Sequence, residues 1–243
     1  MISITDLTMH YGKKTLFENS SLTFDPQKKY GLVGANGAGK STLLRLIIGE
    51  EKPTSGLISV PRSLKLGVLN QDHFKFENHR VIDVVLLGRK RLCDALNEKE
   101  KIILSDNFDE EKGHRLGKLE EVIAEEDGYT AESFAEEILS GLGIEQGFFK
   151  GPMSALSGGF KLRVLLAQLL FQKPDVLMLD EPTNHLDIFS IRWLEKYLCI
   201  DFKGTIIFIS HDRNFLNAVA SHILDIDYEE LRLYPGNYEQ FLE

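Results

Sequence analysis

The sequence has few cysteines, a single tryptophan and no long apolar run. Its two cysteines, Cys93 and Cys199, lie far apart and without metal-type spacing, and no histidine pairs with a cysteine or another histidine at ligand spacing. That excludes a disulfide framework and a cysteine–histidine zinc site, and the two read as reduced thiols of a cytoplasmic protein. The longest greasy stretches, Val81–Leu87 and Val164–Phe171, are far too short to span a bilayer. Thr5-Asp6 interrupts the only apolar start, so no signal peptide is expected. The chain is therefore expected to be soluble, and any membrane role would need a separate partner. Basic charge is in deficit, with 28 Lys and Arg against 37 Asp and Glu, a net charge of −9. Residues 97–137 hold 14 acids and 5 bases, so the whole excess sits in one insert-like segment and the rest balances to zero. An acidic chain of this kind argues against nucleic-acid contact through its own net field.

What is present is enough apolar residue, 43% of 243, to bury a real core as one large α/β domain or two small ones. Strands are expected over residues 2–9, Leu16–Phe24, Leu32-Val33, Leu57–Val60 and Leu64–Leu69, with turns at Tyr11-Gly12 and Pro53–Gly56. From Val81 the periodicity turns helical and predicts a helix to about Lys101, a polar break over Phe108–Gly117, then helices at Leu116–Glu126 and Ala131–Leu142. Leu162, Leu165, Leu166, Leu169 and Leu170 give the next helix a broad apolar face. The continuous apolar runs Val176–Leu179 and Thr205–Ile209 suit strands buried on both faces. Helices at Ile191–Leu198, with Trp193 as a packing anchor, and at Phe215–Ala220 precede strands at Ile223–Ile226 and Leu231–Tyr234. Alternating buried strands and helices predict a largely parallel sheet.

The chain is organised around Gly34-Ala35-Asn36-Gly37-Ala38-Gly39-Lys40-Ser41-Thr42, a P-loop placed between an apolar strand and a helix. Glycines let the backbone turn its N–H groups onto phosphates, and the helix start adds its positive dipole end. Lys40 is expected to reach the β- and γ-phosphates, and the Ser41 hydroxyl to ligate Mg²⁺. The spacing does not fit Gly-x-Gly-x-x-Gly, which disfavours a dinucleotide fold. The apolar strand Val176–Leu179 ends in Asp180-Glu181-Pro182, a Walker B feature. Asp180 would hold the metal shell and Glu181 would polarise an attacking water. Leu156-Ser157-Gly158-Gly159 precedes a helix and reads as a second phosphate-binding helix start.

At this point the sequence resembles the ABC ATPases, whose signature reads Leu-Ser-Gly-Gly-Gln. The resemblance implies that Ser157, Gly158 and Gly159 close over ATP bound to a different nucleotide-binding domain. It also implies that Tyr11 stacks on adenine, that Gln71 is the Q-loop glutamine contacting Mg²⁺ and the water, and that Leu186-Asp187 is the D-loop. His211 matches the switch histidine that meets the γ-phosphate. Glu181–Asp187 and Ser210–Leu216 look like the ABC-F proteins, twin-ABC ATPases without membrane domains that act on the ribosome. Segments 151–154, 161–168, 191–195 and 231–238 most resemble the bacterial YbiT-like branch. Two departures stand out: Phe160 replaces the final Gln of the signature, and the sequence stops at Glu243 where family members continue into a second ABC domain.

The implied fold is α/β, a P-loop NTPase core of ABC type with an antiparallel β subdomain and a helical subdomain, about 81–172, carrying an inserted arm, about 88–129. The implied activity is ATP hydrolysis with Mg²⁺, weak in one isolated domain, with the second ABC domain and the ribosome as partners. The competing reading is the ATP-binding subunit of a membrane transporter. The 85 positions from Gln71 to Leu156 exceed what such a subunit normally needs and favour the arm.

Overall fold

A computed structural model describes residues 1–69, 76–105 and 109–243. The chain divides into two compact units, Met1–Leu69 with Lys173–Glu243, and Asn70–Gln172.

The first unit is built on two sheets. β1 (Ile2–Tyr11), β2 (Lys14–Phe24) and β4 (Ser55–Ser59) form an antiparallel sheet in the order β2-β1-β4. β3 (Lys29–Val33), β5 (Leu66–Val68), β6 (Val176–Asp180), β7 (Thr205–Ile209), β8 (His222–Asp227) and β9 (Glu230–Pro235) form a second sheet in the order β5-β6-β7-β3-β8-β9. Its first five strands run parallel and β9 closes one edge antiparallel. The front strands thus divide between the sheets, with β5 on the far edge of the second beside β6.

The physical reason for the central order is hydration. Every residue of β7 is buried, and so are Val176–Leu179 of β6, as strands covered on both faces require. The helices of this unit are α1 (Lys40–Ile48), α7 (Ile188–Lys196), α8 (Arg213–Val219) and α9 (Tyr238–Leu242). Phe215 of α8 meets Phe208 of β7 edge to face, 5.5 Å between centroids, and both are fully buried. Trp193 stacks on Tyr197 at 5.3 Å, in keeping with a packing role. α9 has no counterpart in the sequence reading, though its start is encoded: Asn237 and Gln240 form a reciprocal capping box.

The second unit is helical, with α2 (Val81–Leu86), α3 (Lys90–Ile103), α4 (Glu110–Glu125), α5 (Ala131–Gly141) and α6 (Gly158–Phe171). The helix expected from Val81 to about Lys101 is in fact two. The break falls at Gly88, where a β-carbon would sit 2.5 Å from the Gln168 carbonyl oxygen. Gln168 in turn donates its side-chain amide to the Val84 carbonyl at 2.7 Å. The expected polar break also differs: Phe108 lies outside the described residues, but α4 already starts at Glu110. Asp109 caps it by accepting from Lys112 N at 2.8 Å, and Gly113 and Gly117 are carried inside the helix. α3 and α4 bury Leu92, Ala95, Leu119 and Ile123. Arg115 with Glu98, Lys99 with Glu120 and Arg91 with Glu125 are ion pairs between the two helices, each 2.6 Å. Among the described residues no helix is long and apolar enough to cross a membrane.

Candidate nucleotide site

The site lies at the carboxyl ends of β3, β6 and β7. β3 delivers Gly34 at φ 141°, where an added β-carbon would stand 2.5 Å from the Ile226 carbonyl oxygen, so no side chain fits. The chain turns through Gly37 and Gly39, both at positive φ, into α1 at Lys40. The Lys40 ammonium folds back over the loop and donates to the carbonyls of Gly34 at 2.8 Å and Ala35 at 3.0 Å. Ser41 is exposed while Thr42 is buried.

β6 and β7 pair in register so that Asp180 stands opposite Ile209. Asp180 is exposed at the strand end. Glu181 follows with φ 51°, a left-handed conformation that a glutamate adopts at a cost, held by its N–H donating to the Ile209 carbonyl at 3.0 Å. One carboxylate oxygen, Oε2, accepts from the His211 backbone N–H at 3.2 Å. The other, Oε1, is buried with no hydrogen-bond partner among the described residues, and His211 Nε2 lies 3.5 Å away.

Tyr11 contributes a ring to the same cleft and its hydroxyl donates to Glu51. Glu51 also meets Arg45 of α1 at 3.0 Å, which ties the aromatic to the helix that leaves the P-loop. The cleft encloses about 520 Å³ and is lined by Tyr11, Asn36, Gly37, Gly39, Lys40, Ser41, Thr42, Asp180, Glu181 and His211. Residues separated by up to two hundred positions in sequence are thus brought together here. Lys14 lines it as well, a residue that the sequence reading passed over. Its signal was the two-residue turn after Tyr11, which sets residue 14 directly across from residue 11.

The remaining candidates do not line this cavity among the described residues. Gln71 lies outside the described residues. Ser157, Gly158 and Gly159 belong to the helical unit, at the start of α6. Ser157 is exposed in extended conformation, makes no side-chain capping bond, and Gly158 has open space where a β-carbon would be. Arg163 lies over the ring of Phe160, 4.8 Å from its centroid, so the residue replacing the usual Gln has a packing partner one turn along. Asp187 caps α7, accepting from Ser190 N at 2.9 Å and Oγ at 3.1 Å.

The chemistry of the cleft suits a polyphosphate and a hard cation. Backbone donors at a helix start and Lys40 are made for anions. The Ser41 hydroxyl and Asp180 carboxylate are oxygen donors of the kind Mg²⁺ takes. Among the described residues no group of three or more His, Cys, Asp or Glu could hold a metal alone, so a cation here would draw further ligands from phosphate and water.

Comparison with known proteins agrees with this geometry. The ABC transporter family matches residues 17–184. The probable ATP-binding protein YbiT of Escherichia coli O157:H7 is 48% identical over 242 residues, 100% of this chain and 46% of that protein. The energy-dependent translational throttle protein EttA of Escherichia coli K12 is 38% identical over 236 residues, 95% of this chain and 42% of that protein. The chain therefore spans less than half the length of these relatives. Among solved structures, an ATP-binding subunit of an ABC transporter superposes with a TM-score of 0.71 at 17% identity, covering 99% of this chain and 91% of that one. A dimeric ATP-binding cassette in a post-hydrolysis state with ADP and Pi gives 0.61 at 21% identity, covering 97% and 98%. These structures share the fold, a mixed α/β ABC ATPase with an antiparallel β part and a helical part. The chain belongs to the ABC transporter family, as one of its ABC ATPase domains, and within it resembles the ABC-F proteins YbiT and EttA.

Proposed function

We propose that this chain is the first of two ATP-binding domains of an ABC-F factor that binds and hydrolyses ATP with Mg²⁺ and acts on the ribosome. One observation carries the hydrolytic part: Glu181 holds a buried carboxylate oxygen that has no hydrogen-bond partner among the described residues, at the mouth of a P-loop cleft. A buried acceptor left open costs stability unless a ligand or water fills it. A water held there would sit between Glu181 and the phosphate cradle, where a carboxylate can orient it and take its proton.

The other residues take complementary roles. Tyr11 offers its ring to the base. The loop Gly34–Thr42 and Lys40 hold the phosphates, the Lys40 ammonium exchanging its own loop carbonyls for phosphate oxygens. Ser41 and Asp180 would hold Mg²⁺, which would supply positive charge to neutralise the phosphates. His211, fixed against Glu181 by its backbone N–H, presents its ring toward the γ-phosphate. Gln71 joins them by resemblance. Ser157, Gly158 and Gly159, at an open helix start, are suited to ATP on a second ABC domain, and that domain's signature would complete the present cleft. The helical stretch about 81–172 is read as the subdomain and 88–129 as its arm.

The ribosomal part rests on the relation to EttA, whose name records a translational role, and on the acidic segment 97–137, suited to a basic protein surface. The second reading, a transporter's ATP-binding subunit, is favoured by the family's name and by the fold shared with such a subunit. Cosedimentation of the full-length protein with ribosomes in ATP separates the two. Retention in the ribosome pellet, lost on deleting residues 96–128 while nucleotide binding survives, supports the first. Indifference to ribosomes together with stimulation by membrane vesicles supports the second.

A further inference from the structure

We propose that Lys14 is a second phosphate-binding cation of the cleft, supplied by the β1–β2 hairpin. The inference rests on the reading of this cleft as the ATP site. Tyr11 and Lys14 are cross-strand partners around the two-residue turn Gly12-Lys13, and Gly12 takes the positive φ of 61° that such a turn needs. Partners directly opposite share a face of a sheet. The hairpin that brings the aromatic ring to the cleft therefore brings an ammonium with it, and both line the cavity.

The ammonium is aimed by the P-loop itself. Lys14 Nζ donates to the Gly37 carbonyl at 2.9 Å, and a β-carbon on Gly37 would come within 3.2 Å of that nitrogen. An ammonium has three donors, and this bond uses one; among the described residues the Lys14 side chain makes no other hydrogen bond. Lys40, by contrast, divides its donors between two loop carbonyls. A phosphate oxygen is a stronger acceptor for an ammonium than a neutral carbonyl.

Charge balance points the same way. Of the residues lining the cleft, Asp180 and Glu181 are acids while Lys14 and Lys40 are the lysines. Without Lys14 the lining would carry one excess negative charge, and a polyphosphate would enter against it. Lys14 therefore acts on phosphate charge, whereas Tyr11 beside it acts on the base.

Calorimetric titration of the whole chain with ATP, inorganic triphosphate and adenosine tests this. Lys14→Met is expected to weaken ATP and triphosphate about tenfold each, the scale of one charge-assisted hydrogen bond in a half-open cleft. Adenosine affinity should stay unchanged, which also reports that the hairpin is folded. Lys14→Arg should recover most of the loss, and the salt dependence of triphosphate binding should be shallower in Lys14→Met than in wild type. Equal losses for ATP and adenosine would show that Lys14 merely latches the hairpin to the loop and would overturn the assignment. So would unchanged triphosphate affinity. A wild-type chain that takes up neither ATP nor triphosphate would overturn the ATP-site reading itself, an outcome distinct from a failure confined to Lys14.

Discussion

The cleft unit and the helical unit achieve order by different means. In the first, the strands β6 and β7 are dry, and the chain leaves β3 and β6 through backbone conformations that few residues tolerate, Gly34 at φ 141° and Glu181 at φ 51°. In the second, α3 and α4 are held by a thin apolar seam and by ion pairs whose side chains remain partly in water. Strain at Glu181 persists because the surrounding sheet over-determines it. Nothing comparable constrains the α3–α4 surface, where charges can be exchanged at little cost. Chemistry that depends on one carboxylate oxygen needs the first kind of support, and a docking surface can be built on the second.

The sharpest way to probe this contrast is Glu181→Gln in the full-length protein. The amide keeps the shape and the bond from the His211 N–H but cannot take a proton. Turnover should fall by ~10²–10⁴, the usual contribution of a positioned general base, while ATP binding is kept because Lys40, Ser41 and Asp180 are untouched. The protein should then remain on ribosomes in ATP. The wild-type chain of 243 residues provides the counterpart: slow hydrolysis that rises with protein concentration is expected if a second domain's signature completes the site. Fast hydrolysis independent of concentration would break the composite site, and a Glu181→Gln protein that turns over normally would remove Glu181 from the chemistry.

The same contrast explains what could be read from the sequence. Buried parallel strands announce themselves as unbroken apolar runs, so Val176–Leu179 and Thr205–Ile209 were legible almost to the residue. The P-loop and the acids after β6 were legible because phosphate chemistry restricts residue type at fixed spacing, and the structure gathers Tyr11, the loop, Asp180, Glu181 and His211 into one cleft. In the helical unit periodicity carries less. The polar stretch Phe108–Gly117 was read as a break, but α4, capped by Asp109, runs through Gly113 and Gly117. At Gly88 the break is real, and the reason that only glycine fits is the Gln168 carbonyl eighty residues on, which no local pattern contains. Lys14 was missed although its signal was local: the turn after Tyr11 sets it across from that residue, and the hairpin register brings it to the loop.

Core substitutions should separate the units by a smaller but still large margin. Phe208 is fully buried and meets Phe215 edge to face. Phe208→Ala removes that ring from the middle of the parallel sheet, and such truncations cost about 3–5 kcal/mol. Urea unfolding followed by tryptophan fluorescence from Trp193 should show the loss, and ATP affinity should fall with it because β7 carries His211. A variant that keeps wild-type stability would mean that the sheet repacks, and the claim of a tightly determined cleft unit would fail.

The smallest effect is expected from the best-formed ion pair between α3 and α4. Arg115 grips Glu98 with two parallel bonds, Nε to Oε1 at 2.6 Å and Nη2 to Oε2 at 2.7 Å. Hydrogen bonding to Arg115, ahead of its charge, holds the Glu98 carboxyl below the usual carboxylate range. A depressed acid adds stability above its unfolded pKa and loses it as pH falls through the folded one. Yet half of the Arg115 side chain and 41% of that of Glu98 remain in water, where solvent and salt screen the pair. Arg115→Ala should therefore shift the melting temperature only slightly at neutral pH and low salt. The shift should vanish in high salt, and again in acid once Glu98 is protonated, while Phe208→Ala stays destabilised under all three conditions. Thermal melts of both variants side by side make the test. If Arg115→Ala matched Phe208→Ala in size, or kept its effect in acid, α3 and α4 would be held by their charges as firmly as the cleft unit is by its core.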